Sequence, residues 1–217
     1  MKITDKITLT NEDNMSLMAR YPDNYFDLCL TDPPYNVGRK YNEYNDNLKR
    51  EVYQKWCELW FKEVTRVSKT LVMTVGYKNL PFWFSLNPKH QMIWHKPNQN
   101  SPSPLGGFNA YESILIWGKN HKRIGHDIFT KNISMQPDVN WHDCPKHLKS
   151  WEIILDKFID PPAKILDIFI GSGTSAIAAH NLKFELVGCE LDTEYYQAAV
   201  KRLKDHVSQL TIFDLGA

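Results

Sequence analysis

Apolar runs broken by turn-forming clusters divide the 217-residue chain into alternating strands and helices. Residues 25–31 are apolar-rich and stop at Asp32-Pro33-Pro34, the pattern of a buried strand ending in a turn. A polar loop, 36–47, leads into a helix whose predicted inner stripe is Val52, Trp56, Leu59, Trp60, Val64 and Val67. Residues 70–75 read as the next strand. Further on, 91–94 and 113–117 look like strands bracketing a loop over 97–109, and loops of that length are usually functional or disordered. A second amphipathic helix carries Trp151, Ile154, Leu155, Phe158 and Ile159, and Pro161-Pro162 ends it.

The last third has the clearest pattern. Residues 164–169 form a strand, Gly171-Ser172-Gly173 a tight turn, and 174–181 an alanine-rich helix. Residues 184–189 form a second strand closing on Glu190, and a helix capped by Asp192 or Thr193 presents Tyr196, Ala199, Val200 and Leu203. Strand, turn, helix and strand make a βαβ unit. The expected architecture is therefore α/β and Rossmann-like, with a mostly parallel sheet and helices on both faces.

Composition changes this picture little. An apolar fraction of 42% and a charged fraction of 24% are those of a globular domain, and no internal repeat or linker divides the chain. One domain over 1–217 is expected, with no membrane partner and, from the N-terminal residues, a cytoplasmic location. Cys29, Cys57, Cys144 and Cys189 are scattered, so neither a disulfide framework nor a metal site is expected. The formal net charge of +1 makes no case for nucleic acid by itself. Three local groups, Arg39 with Lys40, residues 119–123, and Lys146 with Lys149, are candidates to neutralise phosphates or are merely solvated.

Chemistry enters with the glycine turn. Gly171 and Gly173 follow a strand and open a helix, where the backbone turns sharply and approaches a ligand that Cβ atoms would obstruct. Glu190 ends the next strand 17 positions past Gly173, where a carboxylate can accept both ribose hydroxyl protons. Residues 171–176 also satisfy the dinucleotide pattern G-x-G-x-x-A, but only 44 residues remain after Gly173, too few for a second nucleotide-binding half. An adenosine-containing cofactor other than a dinucleotide is expected.

Asp32-Pro33-Pro34-Tyr35 is the second centre. A D-P-P tetrapeptide can be a plain turn; the strand before it and the aromatic after it argue for more. An aromatic amine is a poor nucleophile because its lone pair is delocalised into the ring. Acceptors on both N–H bonds favour a pyramidal nitrogen whose lone pair faces an electrophile. The Asp32 carboxylate and the Pro33 carbonyl are the candidate acceptors, the prolines lock the backbone, and Tyr35 offers a face for a stacked base.

With both motifs in one chain, the sequence resembles the β class of amino DNA methyltransferases, in which D-P-P-Y precedes the cofactor motif. The resemblance covers nearly the whole chain: a catalytic half over 20–120, a cofactor half over 142–207 and a tail over 208–217. It implies an S-adenosylmethionine-dependent methyltransferase fold with a seven-stranded sheet and one reversed strand. It makes Asp32, Pro33, Pro34 and Tyr35 catalytic, and Asp167, Phe169, Gly171, Ser172, Gly173, Thr174, Glu190 and Asp192 cofactor-binding. Lys146 joins the cofactor set by similarity to an H-P-T-Q-K-P segment from which this chain departs at Cys144 and His147. Residues 94–98 and 111–115 resemble the family's middle motifs, and Asp127-Ile128-Phe129 an acid-aromatic element. The implied partner is double-stranded DNA with a flipped base, in a restriction–modification setting, often with a homodimer. Asp at the first catalytic position favours adenine N6 over cytosine N4; a silent DNA-binding module and an RNA or protein amide substrate are the other readings. No target-recognition domain is visible, so loops 36–47 and 97–109 are the candidates to read DNA. Gln209-Leu210-Thr211-Ile212-Phe213 resembles the pentapeptide that docks on the bacterial sliding clamp, its alternative being a final strand of the sheet.

Overall fold

A computed structural model of the chain describes residues 1–39, 42–103, 106–119, 122–134, 137–142 and 145–214. Lys40, His121, Cys144 and residues 215–217, all named above, lie outside the described residues. The elements run β1 (Ile7–Asn11), α1 (Asn14–Met18), β2 (Leu28–Thr31), α2 (Arg50–Val67), β3 (Thr70–Val75) and α3 (Leu80–Ser85). They continue as β4 (His90–His95), β5 (Ser101–Pro102), β6 (Phe108–Asn109), β7 (Tyr111–Gly118) and β8 (Ile128–Thr130). The chain ends with α4 (Leu148–Phe158), β9 (Lys164–Asp167), α5 (Thr174–Asn181), β10 (Glu185–Glu190) and α6 (Thr193–Asp214).

The main sheet has the order β1-β10-β9-β2-β3-β7-β4-β8, and β7 alone runs against its neighbours. The α/β architecture and the single reversed strand are as expected. The count is eight rather than seven because β8 adds itself to the edge beside β4, where Phe129 stacks on Trp94 at 6.2 Å and Trp94 Nε1 donates to the Lys131 carbonyl. From β9 the chain crosses over through α5 to β10, and from β2 through α2 to β3 on the opposite side. The adjacent parallel strands β9 and β2 thus flank a switch point, where open α/β sheets form a crevice beyond the strand carboxyl ends.

Both faces of the sheet are buried, so successive strand residues enter different cores. Leu28 and Leu30 pack with Trp151 and Ile154 of α4, Ile177 of α5 and Leu203 of α6. Cys29, Leu71 and Met73 pack on the other face with Leu17 of α1, Trp60 and Val64 of α2, and Trp83 of α3. Cys57 and Cys189 join that second core as small apolar residues.

The face that α2 buries differs from the expected stripe. Tyr53, Cys57, Trp60, Val64 and Val67 are inside, whereas Val52 and Leu59 are exposed at 50% and 63%. The expected stripe was rotated off the true one because Tyr53 and Cys57 satisfy the same spacing and Tyr53 also finds a hydrogen-bond partner, the Pro34 carbonyl at 2.9 Å. The tail also differs: α6 continues through Gln209 to Asp214, so the backbone there is helical, neither a final strand nor an extended peptide. Of the basic groups, Lys122 is paired with Asp160 at 2.7 Å, Lys149 with Glu152 at 2.7 Å, and Lys146 is buried inside the molecule.

Candidate active site

The two sequence motifs meet at the switch point. Asp32 follows β2 and Phe169 to Gly173 follow β9, so adjacent strand ends deliver both to one cavity of about 430 Å³. Thr31 and Asp167 tie them together: the Thr31 hydroxyl donates to Asp167 Oδ1 at 2.7 Å. Asp167 also accepts from the Phe169 N–H at 3.0 Å and the Ser175 hydroxyl at 2.5 Å. Named above with the cofactor residues, Asp167 lines the cavity, and its carboxylate braces β2, the turn and α5. Burial raises its pKa to about 6, against the pull of these donors.

The glycine turn has the geometry its sequence calls for. Gly171 and Gly173 have φ of +49° and +77°, values that favour glycine, and a Cβ on Gly171 would lie 3.0 Å from His142 Nε2. Glu190 holds the turn from β10: one oxygen accepts the Gly171 N–H at 2.8 Å, the other the Asp192 N–H at 2.9 Å. Burial raises the Glu190 pKa, and those two N–H groups oppose the rise. Beneath the turn, the buried Arg202 guanidinium donates to the Ser172 carbonyl at 3.0 Å and the Thr174 hydroxyl at 2.9 Å. Asp192 caps α6, accepting from the N–H groups of Glu194 and Tyr195. The Phe169 ring packs edge-on to Trp60 at 5.3 Å, fixing the turn against α2. The bare glycine turn and a cavity-lining carboxylate at the next strand end fit an adenosine-bearing cofactor, with Glu190 available to its ribose.

Across the cavity, the backbone of the tetrapeptide Asp32 to Tyr35 is clamped. Tyr53 holds the Pro34 carbonyl, and Asn79 Nδ2 donates to the Tyr35 carbonyl at 2.7 Å. The Pro33 carbonyl accepts no hydrogen bond among the described residues. Asp32 Oδ1 takes the Tyr35 hydroxyl at 2.5 Å, the Thr74 hydroxyl, and the Lys146 ammonium at 3.0 Å. Oδ2 accepts none of these.

Beyond Asp32 lies an ionic cluster that sequence reasoning did not assemble. Lys146 also bonds Glu112 Oε1, and Lys96 holds Glu112 Oε2 at 2.8 Å. The Tyr35 hydroxyl lies 2.8 Å from Glu112 and has one proton to give, so Asp32 and Glu112 compete for it. The side chains of Lys96, Glu112 and Lys146 are only 9–11% exposed. Two carboxylates and two ammoniums therefore cancel in a nearly dry pocket. Burial pushes the Glu112 pKa up, but the two lysines overcome it and hold the group at about 2. The Asp32 pKa is raised, first by burial; Lys146 opposes the rise and the Glu112 charge adds to it. Glu112 arrives here because β7 is reversed, placing its first residues beside the carboxyl ends of β3 and β4. In the sequence Glu112 is a charged residue opening the apolar run 113–117, inside a segment that resembles a family motif without a role for this side chain.

Lys146, expected with the cofactor residues, links both halves: its ammonium is on Asp32, and its carbonyl accepts from the Thr174 hydroxyl at 3.1 Å. In loop 36–47, residues 36–39 gather on Asp46, which is 2% exposed and accepts the N–H groups of Asn36, Val37 and Arg39 at 2.7, 3.0 and 2.9 Å. Asn42 then reaches the cofactor side, its N–H on Asp192 at 3.3 Å and its amide on Glu194 at 3.1 Å.

Comparison with known proteins agrees with this geometry. The type II methyltransferase M.HpaI of Haemophilus parainfluenzae is 24% identical over 217 aligned positions, which cover 83% of this chain and 69% of that protein. The solved PvuII DNA methyltransferase (cytosine-N4-specific) superposes with a TM-score of 0.76 at 18% identity, covering 92% of this chain and 86% of that one. The M1.HpyAVI–SAM complex gives a TM-score of 0.65 at 23% identity, covering 91% and 100%. These two structures share the fold. The family model described as DNA methylase, N6_N4_Mtase, matches residues 26–201, a span that contains both motifs and the ionic cluster; the chain belongs to this N6/N4 DNA methylase family.

Proposed function

We propose that this chain transfers the methyl group of S-adenosylmethionine to N6 of adenine in double-stranded DNA, with the target base turned out of the duplex into the cavity. The observation that carries the reading is the paired acceptor geometry: Asp32 has an uncommitted Oδ2, next to a Pro33 carbonyl that no described residue engages, in the cavity that also holds the glycine turn and Glu190. The cofactor is S-adenosylmethionine, and it supplies an electrophilic methyl on a sulfonium. Glu190 serves its ribose, and the N–H groups that open α5 serve its anionic end. Asp32 Oδ2 and the Pro33 carbonyl accept the two amine hydrogens, which localises the nitrogen lone pair. Tyr35 stays fixed through its hydroxyl while its ring offers a face to the base. Asp at the first catalytic position supports adenine, whereas the PvuII enzyme shows that the same fold carries cytosine-N4 chemistry.

Incubation with labelled S-adenosylmethionine and unmethylated plasmid DNA, followed by digestion to nucleosides, decides the product. N6-methyldeoxyadenosine is expected. N4-methyldeoxycytidine would replace the base assignment, and label found only on RNA or protein would overturn the substrate class.

A further inference from the structure

The family motifs leave two side chains of the ionic cluster, Lys96 and Glu112, without a defined part, and place Lys146 only with the cofactor residues. In a pocket this dry, isolated charges are costly, and a cluster persists only where charges cancel. Charge balance alone, however, would be met by one Asp32–Lys146 pair. The second pair changes what the first can do.

A lysine bound solely to Asp32 would draw the carboxylate's electron density and hold it as a weak acceptor. Here the Lys146 ammonium is divided between Asp32 Oδ1 and Glu112 Oε1, and Lys96 anchors Glu112 from the other side at 2.8 Å. Thr74, Tyr35 and Lys146 all converge on Oδ1, so Oδ2 keeps its lone pairs. We propose that Glu112 is a positioning residue for methyl transfer: by drawing part of the Lys146 ammonium away from Asp32, it leaves the carboxylate that Lys146 keeps anionic a strong acceptor for the amine N–H on Oδ2. The proposal rests on Asp32 being the acceptor for the target amine.

The charged and titratable groups facing Asp32 are Tyr35 from its own turn, Glu112 from β7, Lys146 from the segment before α4, and Asp167 from β9; Lys96, after β4, acts through Glu112. Removing one charge from either side of the balance gives opposite signs. In Glu112→Gln, Asp32 loses a like charge and takes Lys146 entirely, so it titrates lower. In Lys96→Met, Glu112 loses its anchor and draws Lys146 away, so Asp32 titrates higher. The double variant removes one charge of each sign and returns the titration toward the wild-type value.

The test follows the 13C carboxyl resonances of the full-length protein with pH, Asp32 being identified by its loss in Asp32→Asn. Opposite shifts of on the order of one pH unit are expected for the two single variants, the size typical of a charged neighbour within about 4–6 Å. Methyl transfer to unmethylated plasmid DNA is measured in parallel. Its acid limb should move down in Glu112→Gln and up in Lys96→Met, and the kcat of Glu112→Gln should fall roughly three- to tenfold at neutral pH, with the cofactor KM changing less. Shifts of the same sign, or an unmoved Asp32 titration in both variants, would overturn the proposal. A merely structural Glu112 would lower activity at all pH values and leave the limb in place. Should Glu112→Gln fail to fold, the upward shift of Lys96→Met decides alone. The titration needs no DNA, so a protein that methylates no DNA would refute the substrate assignment while the resonances still judge Glu112.

Discussion

Asp46→Asn isolates how loop 36–47 is held beside the site. Asp46 is buried and places Oδ1 on the Asn36 N–H and Oδ2 on those of Val37 and Arg39. An asparagine has one acceptor oxygen, and its better orientation keeps two of these bonds and turns an NH2 toward the Asn36 N–H, donor against donor. A buried N–H left without a partner costs about 1–3 kcal/mol, and each surviving bond drops from a charged to a neutral acceptor, roughly 0.5–1 kcal/mol apiece. The sum is about 3 kcal/mol, which on local opening corresponds to a rise of about 100-fold in amide exchange. Hydrogen exchange at Asn36, Val37 and Arg39 reads this directly. Because Asn42 of the same loop touches Asp192 and Glu194, cofactor affinity measured by equilibrium dialysis should fall as well. Unchanged exchange at all three amides would refute the assignment of the loop's order to this carboxylate.

Asp32→Asn keeps the size of the side chain but removes its charge; methyl transfer should fall by about 10²–10⁴-fold, while dialysis shows S-adenosylmethionine binding little altered. Gly173→Ala places a Cβ 3.1 Å from that of Ala199 at a φ of +77°, which should cost about 1–2 kcal/mol and lower the melting temperature by roughly 2–8 °C, with weaker cofactor binding. Stability should also depend on pH in two opposed ways. Asp167, raised to about 6 from 3.8, binds its proton more tightly folded than unfolded, so stability rises by up to about 3 kcal/mol as pH falls through 6 toward 4, and Asp32 and Glu190 act in the same direction. Glu112, held at about 2 against 4.5, does the reverse: its contribution is present above 4.5 and lost below it. Urea midpoints should therefore climb as pH falls from about 7 to 4.5 and turn down again below about 4; a steady rise from pH 5 to 8 would contradict the Asp167 assignment, and no loss below pH 4 would contradict that of Glu112.

Much of this site is legible in the sequence where chemistry and local geometry coincide. The bounds of β3 and α5 match the apolar run at 70–75 and the alanine-rich segment after the glycines, because each is delimited by a Pro, Gly or polar stop next to it. Asp32, Gly171, Gly173 and Glu190 were readable since a strand end fixes where each must point. What was not legible depends on distant partners. β1 and α1 carry polar residues between short apolar ones and become recognisable only when β1 pairs with β10. α3 left no mark either: its proline, Pro81, sits in the first turn, where a missing N–H costs nothing. Asp46 resembled any acid of a polar loop until three backbone N–H groups closed on it. Lys96, Glu112 and Lys146 are separated by 16 and 34 positions, and only the reversed β7 brings them to one point.

That reversed strand also explains how the site reconciles two demands. Methyl transfer passes the positive charge of a sulfonium from sulfur to the attacking amine as the S–C bond breaks, so a pocket for it must offer a carboxylate without becoming so cationic that it repels either. A parallel strand in the place of β7 would carry its first residues, Glu112 among them, to the far end of the sheet and bring no carboxylate to the carboxyl ends of β3 and β4. Running β7 backwards delivers Glu112 to the same end as Asp32, and Lys96, leaving β4 at that end, supplies the matching positive charge. The order of the two motifs along the chain is then immaterial, because β2 and β9 are parallel neighbours whichever comes first. Their shared end at the switch point sets the reaction geometry, and the antiparallel strand sets the charge in which it proceeds.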